Sequence, residues 1–496
     1  MGISVDVRLI SGRRAIVELE ADASVETLRQ RAQSALAVGR GRLLNSAGDV
    51  LNGTTTLTQA GLQSGDALLL HISQVQVMAA KLQCDIVTGS AFAAILGDGR
   101  LVTWGEPDYG GDSSAIQDRL QDVHHVQAST YAFAAILSDG SVVTWGDTDF
   151  GGDSSAVQEQ LKHVQQIQSS DGAFAAILRD GSVVTWGDAD YGGDSSAVQH
   201  RLKNVKLVQS AANAFAAILA DGSVVTWGET GLGGDSSLVQ DRLKDVRQIQ
   251  ACFYAFAAIL GDGSVVTWGF DACGGDSSSV QEQLKHVRHI QSTDEAFAAI
   301  LADGSVVTWG DSETGGDSSY VQDQLKNVRM IQSSSHAFAA IRADGSVVTW
   351  GCDDSGGDSS AVQHQLKKIQ QIQASTDAFA AILDDGSVVA WGASENGGDC
   401  SPVQDRLRNV SQIQSSGFAF AAILDDGSAV TWGSDDLNDT TASSVHEQLK
   451  DVQQIQTSST HAFAVILGNG SVFTWGFGTE EHDQIVVPDQ LTPLSA

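Results

Sequence analysis

The chain has 496 residues, with 61 acidic and 28 basic side chains and a net charge of −33. A field of that sign repels phosphates, so direct binding of nucleic acid or of an anionic membrane is excluded. No apolar run reaches 18 residues, the start MGISVDVRLI has no basic segment followed by an apolar one, and the five cysteines (84, 252, 273, 352 and 400) are odd in number and lack CxxC spacing. Membrane spans, a signal peptide, a disulfide framework and a zinc site are therefore not expected, and a reducing compartment, cytoplasmic or nuclear, fits best. Gly2 does not make a myristoylation motif, because Asp6 stands where Ser or Thr is required.

Residues 1–73 come first. Ile3, Val5, Val7 and Leu9 alternate as a strand, Ser11-Gly12 turns, and Ala15, Val17 and Leu19 continue as its partner. Val25, Leu28, Ala32 and Leu36 then take helical spacing, with Glu26 in the first turn where a negative charge suits the dipole. Short apolar runs return at Leu43-Leu44 and at 67–70. The order β-β-α-β-β is that of a β-grasp. Seven arginines and seven acids cancel in this segment, so the whole negative charge falls on residues 74–496.

The stretches ISVDVRLISGRRAIVELEADASVETLRQRA, RLLNSAGDVL and TLTQAGLQSGDALLLHI resemble ubiquitin in pattern over about 70 residues. Two departures matter. The segment runs on through His71-Ile72-Ser73 with no Gly-Gly end, and residues 1–80 contain no lysine. The resemblance thus implies a fixed ubiquitin-like recognition module that is neither conjugated nor extended into chains. It also implies an apolar patch at Ile10, Leu44 and His71, where the His departs from an aliphatic residue. A folded cap or spacer is the competing reading.

The rest of the chain repeats. Trp-Gly recurs every 41 residues from Trp104 to Trp432, then at Trp475 after a step of 43. Such a period marks a stacked architecture and, usually, a binding surface. In residues 164–203, Val164–Gln168 alternates as a strand and Ala173–Leu178 is an apolar strand buried on both faces. Asp180-Gly181 is a hairpin turn, and Ser182–Trp186 is the β-branched return strand. A loop leads to Gly192-Gly193-Asp194, after which Val198 and Leu202 predict a short Ser-capped helix.

The pattern V-x-x-I-Q-x-S-x-x-x-A-F-A-A-I-L-x-D-G-S-V-V-T-W-G-x-x-x-x-G-G-D is similar to the regulator of chromosome condensation repeat, over about residues 74–490. The resemblance implies a mainly β fold, with each repeat a β-propeller blade. The repeat here is about ten residues short for that family. Gly-Gly-Asp-Ser-Ser replaces its G-Q-L-G, and there are ten repeats where seven usually close a ring. A wide ring and an open superhelix both remain open. The domains are then 1–73, 74–490 and a tail, 491–496.

No catalytic constellation appears: no G-x-S-x-G, P-loop or H-E-x-x-H is present, so no enzyme and no cofactor are expected. The loop Asp147-Thr-Asp149-Phe-Gly-Gly-Asp153 has calcium-like spacing, but Glu229–Asp235 and Phe270–Asp276 lack the pair. The shared Asp after Gly-Gly reads as a turn cap. Every tryptophan is the repeat Trp, which leaves none for light sensing of the kind some propellers perform.

Two segments vary between repeats: the triplet before Ala-Phe and the four residues after Trp-Gly. One enters the hairpin and the other leaves it, so both fall on one face, opposite the Asp-Gly turns. That face is expected to expose Tyr109, Tyr131, Phe150, Tyr191, Phe253, Tyr254, His336 and Phe418 among carboxylates. Such a surface suits a basic protein partner. The expected function is a non-enzymatic adaptor or scaffold, linked to the ubiquitin pathway through the first domain. The alternative is a guanine-nucleotide exchange factor, an activity that in the family relies on an irregular wedge these uniform repeats lack.

Overall fold

The alternation near the N-terminus becomes a hairpin. The computed structural model describes residues 2–36, 38, 41–71, 75–80, 91–433, 449–457, 462–468 and 472–476. In it, β1 (Gly2–Arg8) pairs antiparallel with β2 (Arg14–Glu20). Val5, Val7, Val17 and Leu19 fall on the buried face. The helix α1 (Val25–Leu36) lays Val25, Leu28, Ala32 and Leu36 on that face. Ser24 caps its start by accepting from the Thr27 N–H at 3.1 Å. Next come β3 (Arg42–Leu44) and β4 (Ala67–His71). The sheet order is β2-β1-β4-β3, with β1 parallel to β4. This is the β-grasp arrangement.

From Gln76 onward the described strands form ten three-stranded antiparallel sheets. Each sheet uses consecutive strands. The first has β5 (Gln76–Ala79), β6 (Ala91–Ile95) and β7 (Leu101–Gly105). The third has Val164–Ser169, Ala173–Leu178 and Val183–Gly187, and the last has Val452–Thr457, Ala462–Leu467 and Val472–Gly476. The first strands of neighbouring sheets contact each other around a central channel. β5 lies against Val452–Thr457, and Val77, Phe92 and Trp104 share a core with Ala464 and Ile466. The repeats therefore close: the architecture is a ten-bladed β-propeller ring, not an open superhelix.

The invariant residues of the repeat are the bolts between blades. Phe174 and Trp186 are cross-strand partners whose rings stack at 5.2 Å. The Trp186 indole N–H donates to the Gly151 carbonyl of the preceding blade at 3.1 Å. Gly151 has φ of +99°, and a Cβ there would lie 2.6 Å from the Phe174 ring. Only glycine satisfies both demands. The same bond recurs from Trp145–Gly110 to Trp432–Gly397. In the middle strand, alanines at 173, 175 and 176 are fully buried, so adjacent blades approach closely.

One local expectation is corrected. Val198 and Leu202 do not lie on a helix; residues 195–201 form successive turns, with Val198 N–H donating to Ser195 O at 3.0 Å. The Gln199 amide donates to Val183 O at 2.8 Å and accepts from Ser195 Oγ at 2.8 Å. The side chain pins the segment to the return strand and holds it in turns; the same segment of blade 1 is a short 3-10 helix, Ser114–Arg119. Leu202 is still buried, as its spacing predicts.

The Asp-Gly turns carry a pH signature. Asp180 accepts from the Ser182 hydroxyl at 2.6 Å and from its N–H at 2.9 Å, and these bonds hold its carboxyl below the usual range. Asp139, Asp221, Asp262, Asp303, Asp344, Asp385 and Asp426 are lowered in the same way. A carboxyl lowered on folding stabilises above its unfolded pKa, about 3.9, and loses that contribution as pH falls through its folded value. Self-repulsion from the −33 charge eases as pH approaches the isoelectric point near 4.4. Thermal melts should therefore rise from neutral pH toward that point and fall below about pH 3.9, as pH drops from the unfolded pKa toward the lowered folded ones. A melting temperature that keeps climbing to pH 3 would contradict this.

A candidate protein-docking face

The triplets and the loops after Trp-Gly do meet on one face. Each triplet sits at the end of a blade's first strand, and its middle residue bonds to the next blade. Thr130 N–H donates to Asp171 O at 3.1 Å, Asp171 N–H to Ala212 O at 3.1 Å, and Ala212 N–H to Phe253 O at 3.0 Å. The series continues through Asp294, Ser335 and Thr376 to Gly417. From blade 2 to blade 9 this is a belt of backbone bonds, one per junction and all in one direction, around the channel mouth. The loops close over it. Asp188 N–H donates to Gly172 O at 3.0 Å, and Ser170 Oγ donates to Tyr191 O at 2.7 Å.

Four of the eight predicted residues are brought together. Tyr109 stacks on Tyr131 at 5.2 Å, Tyr131 meets Phe150 at 4.8 Å, and Phe150 meets Tyr191 edge-on at 5.9 Å. Residues distant in sequence touch because the exit loop of one blade overlies the entry triplet of the next. Phe253 and Tyr254 form a second pair at 5.9 Å in blade 5. His336 lies 3.4 Å from Asp377 across blades 7 and 8, and Phe418 belongs to the triplet of blade 9. The expectation of exposed rings is corrected: all eight are half-buried. In the run from Tyr109 to Tyr191 the rings cover part of one another and leave an arc of edges and hydroxyls.

Gly172 matters to the face in a way its place in the sequence does not announce. A Cβ there would lie 2.7 Å from Phe150 and 2.9 Å from Tyr191. Its absence makes the seat for the arc. Phe270, which is exposed, is a further residue of the face outside the eight. It holds the first loop position, where Asp147, Asp188 and Asp311 cap their loops through the side chain. It carries a sequence signal of its own: it is the one aromatic at that position in the repeats from 105 to 433.

Electrostatically the face is one-signed. In blades 1 to 8 every loop from Trp-Gly to Gly-Gly-Asp holds two or three carboxylates, and neither loops nor triplets hold any Lys or Arg. The opposite rim is mixed, with Arg201, Lys203 and Lys206 beside the Asp-Gly turns. On the acidic face, burial and the nearby Asp171 raise the Tyr191 phenol, which stays neutral. Burial works against the Asp377 charge, but hydrogen bonds from His336 and Ser355 outweigh it and keep the carboxyl low.

Several acids of the loops serve as turn caps. The Asp after each Gly-Gly caps the following turn, as Asp153 does on Ser155 N–H at 2.8 Å. No group of three or more metal-ligating side chains is present among the described residues. The channel has a volume of about 640 Å³ and is lined mainly by Ser, Thr and Ala, with Asp294 and Cys252 as the titratable residues among the described lining. Burial pushes the Cys252 and Cys273 thiols up to about 12, so neither is a nucleophile near neutral pH. No helix among the described residues is long and apolar enough to cross a membrane.

In the β-grasp, Leu44 pairs with Leu69 and Arg42 with His71. Leu68 and Leu70 face the core, so Leu44 and His71 share the outward face of the sheet. Ile10 stands in the β1–β2 turn, 77% exposed.

No family model matches the chain, and no curated protein matches it. Among solved structures it is similar to Prp20p from Saccharomyces cerevisiae, whose binding to Gsp1p and histones has been described. Identity there is 16% and the TM-score 0.31, over 66% of this chain and 84% of that one. It is similar to the CRINKLY WD40 ectodomain of the receptor kinase ACR4 from Arabidopsis thaliana at 13% identity and TM-score 0.31, over 83% and 99%. It is also similar to ubiquitin from Caldiarchaeum subterraneum at 22% identity and TM-score 0.14, over 14% and 91%. The class, a β-propeller repeat protein, rests on the strand pairing described above.

Proposed function

We propose that this protein is a non-enzymatic adaptor that docks a basic protein partner on the acidic face of its propeller. One observation carries the reading: the two variable segments of the repeat converge on a face that has no Lys or Arg in blades 1 to 8 and holds four of the chain's five tyrosines. Half-buried rings present area at low entropy cost, and neighbouring carboxylates complement Lys and Arg. The N-terminal β-grasp is the ubiquitin-like module of the reading, and its outward face at Ile10, Leu44 and His71 is where a ubiquitin-pathway partner would bind.

Fluorescence anisotropy with a panel of Lys/Arg-rich peptides tests the propeller part. Affinity should fall as salt rises, since exposed charge pairs are screened over roughly 10 Å at 0.1 M. Replacing Tyr109, Tyr131 and Tyr191 together by serine should weaken binding at least about tenfold, the loss of one or more central anchors. Absence of any binding at low salt would sink the reading. Catalysed nucleotide release from a small GTPase would favour the exchange-factor alternative instead.

A further inference from the structure

The Asp-Gly turn of the first blade differs from all the others. Blades 2 to 9 carry Asp-Gly-Ser, and the Asp bonds its own Ser. Blade 1 carries Asp98-Gly99-Arg100, the one place where Arg replaces that Ser. Asp98 still accepts from the Arg100 N–H at 3.1 Å, but its other oxygen accepts from Arg29 Nη1 of α1 at 2.6 Å. Both side chains are buried, 9% exposed for Arg29 and 6% for Asp98. Glu26 and the Gly41 carbonyl hold the Arg29 guanidinium in place. A second cation of the β-grasp grips the same turn. Arg42 Nε donates to the Asp98 carbonyl at 2.7 Å, and its Nη2 lies 3.2 Å from Asp122 at the start of blade 2. Gly99 leaves the space that Arg42 fills, because a Cβ there would fall on the guanidinium.

We propose that this turn is a dedicated intramolecular latch that holds the β-grasp in a fixed orientation on blade 1. Two features would be idle in a loosely tethered arrangement. These are a buried Arg at 29 and an Arg at 42 aimed at the turn. Undocking would break both contacts, leaving Asp98 with Arg100 and Arg29 with Glu26 and the Gly41 carbonyl. In the docked state, removing one charge would strip a buried partner, which is strongly unfavourable. The latch makes the protein one rigid body, so partners held by the β-grasp and by the propeller face are set at a constant separation. The latch stands whether or not the acidic face docks a basic partner.

Amide relaxation on the full chain tests it. In the unaltered protein, β-grasp and propeller amides should report one common tumbling time. Asp98→Asn, which changes no β-grasp residue, and Arg42→Ala, which changes no blade residue, should each shorten the β-grasp tumbling time. Together they should shorten it severalfold. Asp139→Asn, the same turn in blade 2, should leave it unchanged. Because the two variants lie on opposite sides of the contact, misfolding of one part cannot mask the result in both. Independent tumbling in the unaltered protein, or common tumbling retained in the double variant, overturns the proposal.

Discussion

Replacing Phe256 by alanine is expected to destabilise the propeller by about 3–5 kcal/mol. The side chain is fully buried, stacks on Trp268 at 5.3 Å and is pressed by Gly233 of the preceding blade. Its removal empties a site walled by two blades and by backbone that is already paired, so collapse cannot fill the gap. The loss should appear in urea unfolding, and hydrogen exchange should quicken in blades 4 and 5 before distant ones, as nearest-neighbour coupling requires. Leu238→Ala serves as the control. That side chain is 100% exposed, and its loss should register within about 0.5 kcal/mol. Equal effects at the two positions would refute the account of the core.

The second large effect is expected from Gly193→Ala. A Cβ at 193 would lie 2.2 Å from the Gly187 carbonyl oxygen and 2.8 Å from that of Asp188. Both obstacles are backbone, so the loop itself must shift. That movement withdraws the Gly192 carbonyl, which accepts from the Trp227 indole N–H at 3.0 Å. A buried donor is then left unpaired, at about 1–3 kcal/mol, in addition to the cost of overpacking, about 1–3 kcal/mol. Thermal melting and the emission of Trp227 would both report it. Gly231→Ala in the corresponding loop of blade 4 meets nothing within 4 Å and should be nearly neutral.

Much of the blade could be read in advance because its determinants are local. Asp180-Gly181 predicts the turn by turn chemistry alone, and Ala173–Leu178 predicts a strand buried on both faces by its lack of polar positions. What escaped was relational. Whether ten repeats close depends on the angle between blades, which no residue encodes singly. The stack of Tyr109 on Tyr131 requires knowing that an exit loop lies over its neighbour's entry. The half-buried state of the aromatic arc comes from that overlap. The turn at Ser195–Leu202 looked helical because Val198 and Leu202 are four apart, while the competing anchor, Gln199, is a polar side chain that periodicity ignores. The latch left a trace in Arg100, but a departure from a repeat gains meaning only when Arg29 and Arg42 are seen beside it.

Among the described strands, every sheet of the ring is made of three consecutive strands, and none of these sheets mixes strands from the two ends of the chain. From blade 1 to blade 9 the joint between neighbours is the same Phe, Trp and Gly meeting across nearly the same distance. A stretch of 41 residues within blades 1 to 9 could thus be copied or excised and the joints around it would still find their partners. The heritable unit in such a molecule is the blade. Ring circumference, the number of docking loops and the total negative charge would all change together, in whole steps, by duplication alone.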